Sequence, residues 1–236
     1  MAVPEDTRGR TGRVRLTREA VLRRAVAVAD ADGLPALTMR RLADELGVEA
    51  MSLYHHVAGK DALLDGIADL VFAEVLEAAS TGPGADAVRQ GSVRWDAAVR
   101  TRILAARTVM LRHPWAPLVI ASRPAIGFAA SRHVDALVGL MRTGGLSHDL
   151  IHHGLHALGS RLYGFTQEVG EPDPSAAEAR AAARVMIDRL PNLAAMLEAV
   201  AHDDPGSTLG WCDDQTEFEF ALDVLLEGLQ RRASGA

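Results

Sequence analysis

Residues 38–57 read TMRRLADELGVEAMSLYHHV, and this stretch decides the fold. Thr38 is a good N-cap residue, because its hydroxyl oxygen accepts from a free amide in a helix's first turn. A short helix is expected from there to Gly47, and another over residues 49–56. Gly47 supplies the turn between them, since glycine tolerates a positive φ without a Cβ clash. Ala43 is small where the two helices must approach, and Leu42, Leu46, Val48 and Leu53 point to one shared apolar core. A small residue, a glycine four positions on and an aliphatic six after that is helix-turn-helix spacing. The bland alternative is a generic helical hairpin. The second helix presents Ala50, Met51, Ser52, Tyr54, His55 and His56. Small, hydroxyl-bearing and aromatic side chains of this kind suit base edges and phosphates in a major groove. Arg40 and Arg41 lie near the start of the first helix, where free amides and the helix dipole already favour phosphate.

Charge supports that reading. Ten of the 25 Lys and Arg residues, but only eight of the 31 Asp and Glu residues, fall within positions 1–60. Arg8, Arg10, Arg13, Arg15, Arg18, Arg23 and Arg24 face only Glu19 between positions 8 and 24. The whole chain carries −6, so a basic front precedes an acidic body. Such an asymmetry points to a localised anionic partner, with nucleic acid the leading candidate over a merely solvated tail. Residues 1–12 lack an apolar face and are expected to form a disordered basic arm.

Length and composition bound the rest. At 236 residues the chain has room for one large unit, or for one small and one larger. A hydrophobic share of 48% and a charged share of 24% exclude wholesale disorder. The single cysteine, Cys212, excludes an internal disulfide framework and fits a reducing cytosol. Uncharged stretches such as Leu150 to Ser160 fall far short of the roughly 18 residues that span a bilayer. Met1 to Arg10 carries charges and no apolar run, so no secretory signal is read there. No membrane association is expected, and the location is expected to be cytoplasmic.

Almost everything reads as helix, and no convincing period-two strand appears. A first helix starts behind Thr17 and stops at Gly33-Leu34-Pro35. Gly59 precedes a fourth, reaching about Ala79, and Thr81 to Gly84 is a loop by composition. A fifth covers about 92–112. Pro124 suits the first turn of another that ends near Gly144-Gly145. Ser147 opens the next, to about Val169, and residues 171–174 form a linker. Ser175 with Glu178, and Asp214 with Glu217, have capping-box or related spacing. Ile151, Leu155, Leu158, Leu162 and Phe165 make one apolar stripe; Phe218, Leu222, Leu225, Leu226 and Leu229 make another. These stripes are too continuous for solvent and call for a partner.

Rival functions find little support. The motifs G-x-S-x-G, H-E-x-x-H and G-x-x-x-x-G-K-[ST] do not occur. A small-molecule-binding enzyme or a helical adaptor without DNA binding is the alternative. His148, His152, His153 and His156 invite a metal, and His152 and His156 share a helix face, but two nitrogens with no fixed carboxylate are not a site. No metal, cofactor or catalytic residue is expected.

Residues 15–72 resemble the DNA-binding region of the TetR (tetracycline repressor) family. The likeness runs through LTREAVLRRAVAVADADGLPALTMRRLADELGV and LYHHVAGKDALLDGIAD. SRPAIG at 122–127 and SHDLIHHGLHALGSRLYGFTQE at 147–168 resemble the branch for which the family is named. The resemblance implies an all-α protein: an N-terminal three-helix helix-turn-helix domain over 13–60, then a larger effector-binding and dimerisation domain over 61–232. It implies a homodimer on double-stranded operator DNA, most readily a repressor released by a small-molecule effector, with Ile151, Leu155, Leu158, Leu162, Leu222, Leu225, Leu226 and Leu229 in a four-helix dimer seam. By position, Arg40 matches a phosphate- or base-contacting arginine. Ala50, Met51 and Ser52 fall at base-reading positions, and Tyr54, His56 and Lys60 at phosphate-contacting ones. Lys60 is the only lysine of the chain. In the namesake branch a histidine near the sixth helix ligates a magnesium–drug complex. Here that stretch is Trp115–Ala121, with no ligand-type side chain, and a second drug-contacting histidine is replaced at about Leu76. An unknown small organic effector in an apolar pocket is therefore expected. Its walls are expected to include Trp95, Ile103, Met110, Leu118, Phe128, Leu137, Met141 and His156, with Glu168 at the family's acidic position.

Overall fold

A computed structural model describes residues 16–82, 84–168, 190–192, 195 and 214–235, with side chains at 165–168 and 214 left aside. The expected arm 1–12, the linker 171–174, the helix start at Ser175 and Glu178, and Cys212 lie outside the described residues. Among those described, all regular structure is helical. The elements are α1 (Arg18–Asp32), a 3₁₀ turn (Leu34–Ala36), α2 (Met39–Leu46), α3 (Ala50–Tyr54), α4 (Lys60–Thr81) and α5 (Ala85–Arg89). They continue with α6 (Trp95–Arg112), α7 (Ala116–Ser122), α8 (Phe128–Thr143), α9 (His148–Glu168) and, next among the described residues, α10 (Asp214–Ser234). The chain forms two compact units, Met1–Ile67 and Ala68–Ala236. The parting falls inside α4, which is unbroken across it.

In the first unit Thr17 caps α1 by accepting from the Ala20 amide at 3.1 Å. Gly33, at φ 75°, ends it, as its position before Leu34-Pro35 predicts. Val21, Leu22, Ala25, Leu37, Leu42, Leu53, Val57, Leu63 and Ile67 are buried together. Gly66 lets α4 lie close on α1, because a Cβ there would overlap the Leu22 side chain.

In the second unit α6 is central. It packs against α8, α9 and α10, and α10 lies mainly on α9. Val71, Phe72, Val99, Ile103, Val109, Met110, Leu137, Met141, Leu158, Phe218 and Leu222 form the core. Arg100 of α6 ties down α10, with Nε 2.7 Å from Asp223 and a terminal nitrogen 2.6 Å from Glu219. Its hydrogen bond to Asp223 is the main cause that raises the Arg100 pKa above its ordinary value. Arg107, buried on α6, lies 4.4 Å from the Phe218 ring centre and donates to the Gln215 side chain at 3.1 Å.

The structure departs from the expected elements in three places. Residues 123–127 stay out of the helix that Pro124 was expected to open, and α8 begins at Phe128. A remote cap explains this: Asp69 of α4 accepts from the Ala129 amide at 2.7 Å, and a Cβ at Gly127 would collide with that carboxylate. The short helices α5 and α7 stand where no separate helix is expected, because each spans two turns or less and carries no full apolar stripe. The helix expected over 49–56 is α3, and it stops at Tyr54.

One contact gives a test of packing. The Trp95 ring covers Gly144 so closely that a Cβ there would overlap it. Gly144→Ala is expected to cost about 1–3 kcal/mol of stability, as overpacked sites do, with tryptophan emission shifted to the red. Denaturant unfolding followed by fluorescence checks both.

Candidate nucleic-acid interface and cavity

The helix-turn-helix geometry comes from two local devices. Thr38 accepts from the Arg41 amide at 3.1 Å and starts α2. Gly47 stops it in the left-handed region, at φ 63° and ψ 36°. Glu49 is extended, and α3 begins directly after it. Leu53 and Val57 are buried on the inner side of this segment, with Leu42 and Ala43 from α2. Leu46 and Val48 are half-buried.

The outward side of α3 carries Met51 and Tyr54, three positions apart and both exposed. Ala50, Ser52 and His56 are half-buried beside them, and His56 follows α3 in a turn bonded to the Leu53 carbonyl at 2.9 Å. Lys60 is the exposed first residue of α4. The two arginines of α2 separate. Arg40 is exposed, whereas Arg41 is held by Asp32 at 2.5 Å and faces Glu45 at 3.6 Å. Glu45 also pairs with Arg24 at 2.5 Å. Arg41 thus bridges α1 and α2, while Arg40 remains presented to solvent.

In the second unit a cavity of about 430 Å³ lies between α6, α8 and α9. Of the residues expected on pocket walls, Ile103, Leu137 and His156 line it. Trp95 covers Gly144 instead, and Met110 and Met141 are core residues with no exposure. Leu118 and Phe128 point to solvent in this chain, 61% and 77% exposed. The Glu168 side chain lies outside the described residues. Helical periodicity marks a position as apolar, but does not say whether its face meets a neighbour, a gap or water.

His133 and Tyr163 line the cavity and were not anticipated from the sequence. A signal for His133 existed: it shares the α8 face of Ala130, Leu137 and Met141, a polar residue on a buried stripe. His133 is 3% exposed, its ring lies 5.8 Å from that of Phe72, and its Nδ1 has no hydrogen-bond partner. Burial first, and the Arg102 charge second, push its pKa down from 6.5 to about 4. Burial pushes the Tyr163 phenol up to about 12. His152 and His156 stack edge to face at 4.7 Å, and His153 faces Asp149 at 3.8 Å. Among the described residues no group of three or more His, Cys, Asp or Glu could hold a metal ion. A second, more open cleft of about 560 Å³ is lined by Leu76, Glu77, Ser80, Arg102, Arg132 and Asp135. Burial, then the Arg132 charge, lowers the Arg102 pKa.

The residues expected at the dimer seam are mostly engaged within one chain. Ile151, Leu158, Leu162, Leu222, Leu226 and Leu229 are buried within one chain, where α9 and α10 pack on each other and on α6. Leu155 and Leu225 are half-buried, and Leu155, Leu158 and Leu162 line the cavity. An amphipathic stripe needs a partner, and here the same chain supplies it. The apolar residues left outside on α10 are Phe220 and Val224, 67% and 48% exposed.

A helix-turn-helix unit with an exposed recognition face, in one chain with a larger all-helical unit that holds a cavity, defines a helix-turn-helix transcription regulator. Residues 21–67 match the family described as bacterial regulatory proteins, tetR family, and residues 89–233 match the tetracyclin repressor-like C-terminal domain. The chain belongs to the TetR family. It is 38% identical over 132 residues to the HTH-type transcriptional repressor DrrR1 of Streptomyces coeruleorubidus, covering 56% of this chain and 46% of that protein. It is 32% identical over 99 residues to the class D tetracycline repressor protein of Escherichia coli, covering 42% of each. These matches thus span less than half the length of those curated relatives. Among solved structures, apo ActR of Streptomyces coelicolor superposes with a TM-score of 0.75 at 27% identity, covering 93% of this chain and 97% of ActR. ActR in complex with actinorhodin superposes at 0.71 and 27% identity, covering 92% and 96%. No described helix is long and apolar enough to cross a membrane.

The buried imidazole gives a pH test. His133 is held neutral in the folded chain, so acid favours the unfolded one. Its stabilising effect is complete above the ordinary value near 6.5 and is lost as pH falls toward about 4. The wild type is expected to lose about 3 kcal/mol more than His133→Phe over that interval. Urea unfolding of both proteins at neutral pH and near pH 4 measures the difference.

Proposed function

We propose that this chain is a transcriptional repressor that binds operator DNA as a homodimer and is released by a small organic effector held between α6, α8 and α9. The observation that carries the reading is the capped α2–α3 turn with Met51 and Tyr54 left outward on α3. In this reading Arg40, Tyr54, His56 and Lys60 meet phosphates, and Ala50, Met51 and Ser52 meet base edges. The apolar side chains at 50 and 51 favour thymine methyl groups over hydrogen-bonded purines. Residues 1–12 act as a basic arm, 13–60 as the DNA-binding domain and 61–232 as the effector and dimerisation domain. The repressor name of DrrR1 and the ligand-bound form of ActR support the regulatory class and the organic effector. Ile103, Leu137 and His156 are the effector contacts retained from the sequence reading, and His133 and Tyr163 join them. The reading assigns no catalytic residue, resident metal or cofactor, and it places the protein in the cytoplasm.

The dimer face in this reading is the outer side of α10, around Phe220 and Val224. Effector and operator must weaken each other's binding by the same factor, since their coupling is reciprocal. The helix α4 spans the boundary between the units and supplies a covalent route for that coupling.

Mobility shift with DNA upstream of the chain's own operon tests the assignment. Lys60→Ala is expected to weaken binding to all sequences and to lower the salt slope by about one. Ser52→Ala is expected to change sequence preference instead. An unchanged affinity and slope for Lys60→Ala sinks the docking proposed here. For assembly, Phe220→Asp is expected to give a folded monomer in sedimentation that no longer shifts operator DNA. A tight dimer from that variant moves the interface elsewhere.

A further inference from the structure

The start of α8 is held by a residue from another helix. Gly127 stands at the N-cap position in an extended conformation, at φ −70° and ψ 175°, and supplies no side-chain cap. Asp69 of α4, sixty residues earlier, fills that role by accepting from the Ala129 amide at 2.7 Å. Ala129 is the second residue of α8, whose amide a cap oxygen ordinarily satisfies. A side chain at 127 and the carboxylate of Asp69 exclude one another: a Cβ there would lie 2.3 Å from Oδ1. Thus α8 has no cap of its own and takes one from α4.

The same part of α8 carries the cavity wall. His133, Val134 and Leu137 line the cavity between α6, α8 and α9. His133 also places its ring 5.8 Å from that of Phe72, about one turn beyond Asp69 on α4. A further turn along, Leu76 of α4 and Arg132 and Asp135 of α8 line the open cleft. The first turns of α8 are therefore tied to α4 by a carboxylate–amide hydrogen bond and a pair of rings. Asp69 lies two residues past Ile67, where the units part, and α4 runs back from it to Lys60. A dimeric helix-turn-helix protein must present two recognition helices at a fixed spacing. A helix tied to its neighbour has fewer arrangements to lose on meeting DNA than a free one.

We propose that Asp69 is the positioning residue of the switch. Its carboxylate ties the helix that walls the cavity to the helix that leads to Lys60, and the tied arrangement is the one that binds operator. This rests on the regulatory reading given above and adds the residue through which cavity and operator act on each other.

The test is amide hydrogen exchange over residues 128–132 of the full chain. It is measured with and without a duplex, taken from the DNA upstream of the chain's own operon, that the wild type shifts. In the wild type, saturating duplex is expected to slow this exchange at least about threefold, because coupled sites stabilise a common arrangement. Asp69→Asn keeps a capping oxygen and is expected to respond alike.

The double variant Asp69→Ala/Gly127→Ser separates positioning from capping. Its serine hydroxyl caps α8 from within, and loss of the carboxylate makes room for the serine Cβ. The helix is then capped but no longer tied to α4. In this variant the duplex is expected to leave exchange over 128–132 unchanged. Its operator affinity is expected to fall about three- to tenfold, the effect of one lost cap. The salt slope is expected to stay as in the wild type, whereas loss of a phosphate contact would lower it.

A double variant that responds to the duplex as the wild type does, or binds it equally tightly, shows that Asp69 only caps α8 and overturns the proposal. So does wild-type exchange that ignores a duplex the protein is seen to bind. If the double variant fails to fold, Gly127→Ala gives the same comparison, since its Cβ displaces the carboxylate. If no duplex from that region is shifted at all, the regulatory reading itself fails and this inference with it.

Discussion

The attachment of α10 to α6 and α9 is the constraint on which the second unit depends. Phe218 sits fully buried, with the guanidinium groups of Arg107 and Arg161 at 4.4 and 5.4 Å from its ring. Arg161 also donates to the Glu217 carbonyl at 2.7 Å. A little further along α10, Arg100 binds Asp223 and Glu219. A ring close to two cations is attracted by both through its quadrupole, and the surrounding burial strengthens that attraction. Leu222, Leu226 and Leu229 then close the apolar stripe against α9. Without this clamp, α9 would present its leucines to water, and the wall of the cavity that it supplies would not be held.

That clamp also explains why the cavity has the chemistry it has. With one leucine face of α9 engaged by α10, the residues turned toward α6 and α8 are a mixture: Leu155, His156, Gly159 and Tyr163. Small Gly159 leaves room, and the larger neighbours supply walls. Across from them α8 offers His133 on the face that also carries Leu137. The cavity is thus a by-product of packing three helices whose facing side chains differ in size, and its polar content is confined to a few imidazole and hydroxyl groups.

The first unit works under a different constraint. Its helices are short, and α3 has five residues. Helices of that length are not stable alone, so caps and a common core must hold them. Thr38 and Gly47 set the start and end of α2, Arg41 and Arg24 tie it to α1 through Asp32 and Glu45, and Leu53 anchors α3 from within. Arg40, Met51 and Tyr54 are not used for these tasks and are left outward.

Sequence alone determined what short-range chemistry controls. The caps at Thr17 and Thr38, the turn at Gly47, the stop at Gly33 and the helix-turn-helix itself act within a turn or two of chain, so local residues suffice to read them. The split of charge between front and body is likewise visible without coordinates. Only the tertiary structure decided which amphipathic face meets which. The stripes on α9 and α10 were legible as buried, but not as buried against each other, because an apolar stripe is satisfied equally by its own chain or by a second one. The start of α8 depended on Asp69, sixty residues away, which no local rule around Pro124 contains. His133 became a candidate only when α6 and α9 closed around it, since its burial and its unpartnered nitrogen are set by neighbours distant in sequence. Leu118 and Phe128 point to solvent in this chain for the same reason: hydrophobicity belongs to a residue, whereas a wall of a cavity belongs to the space between helices.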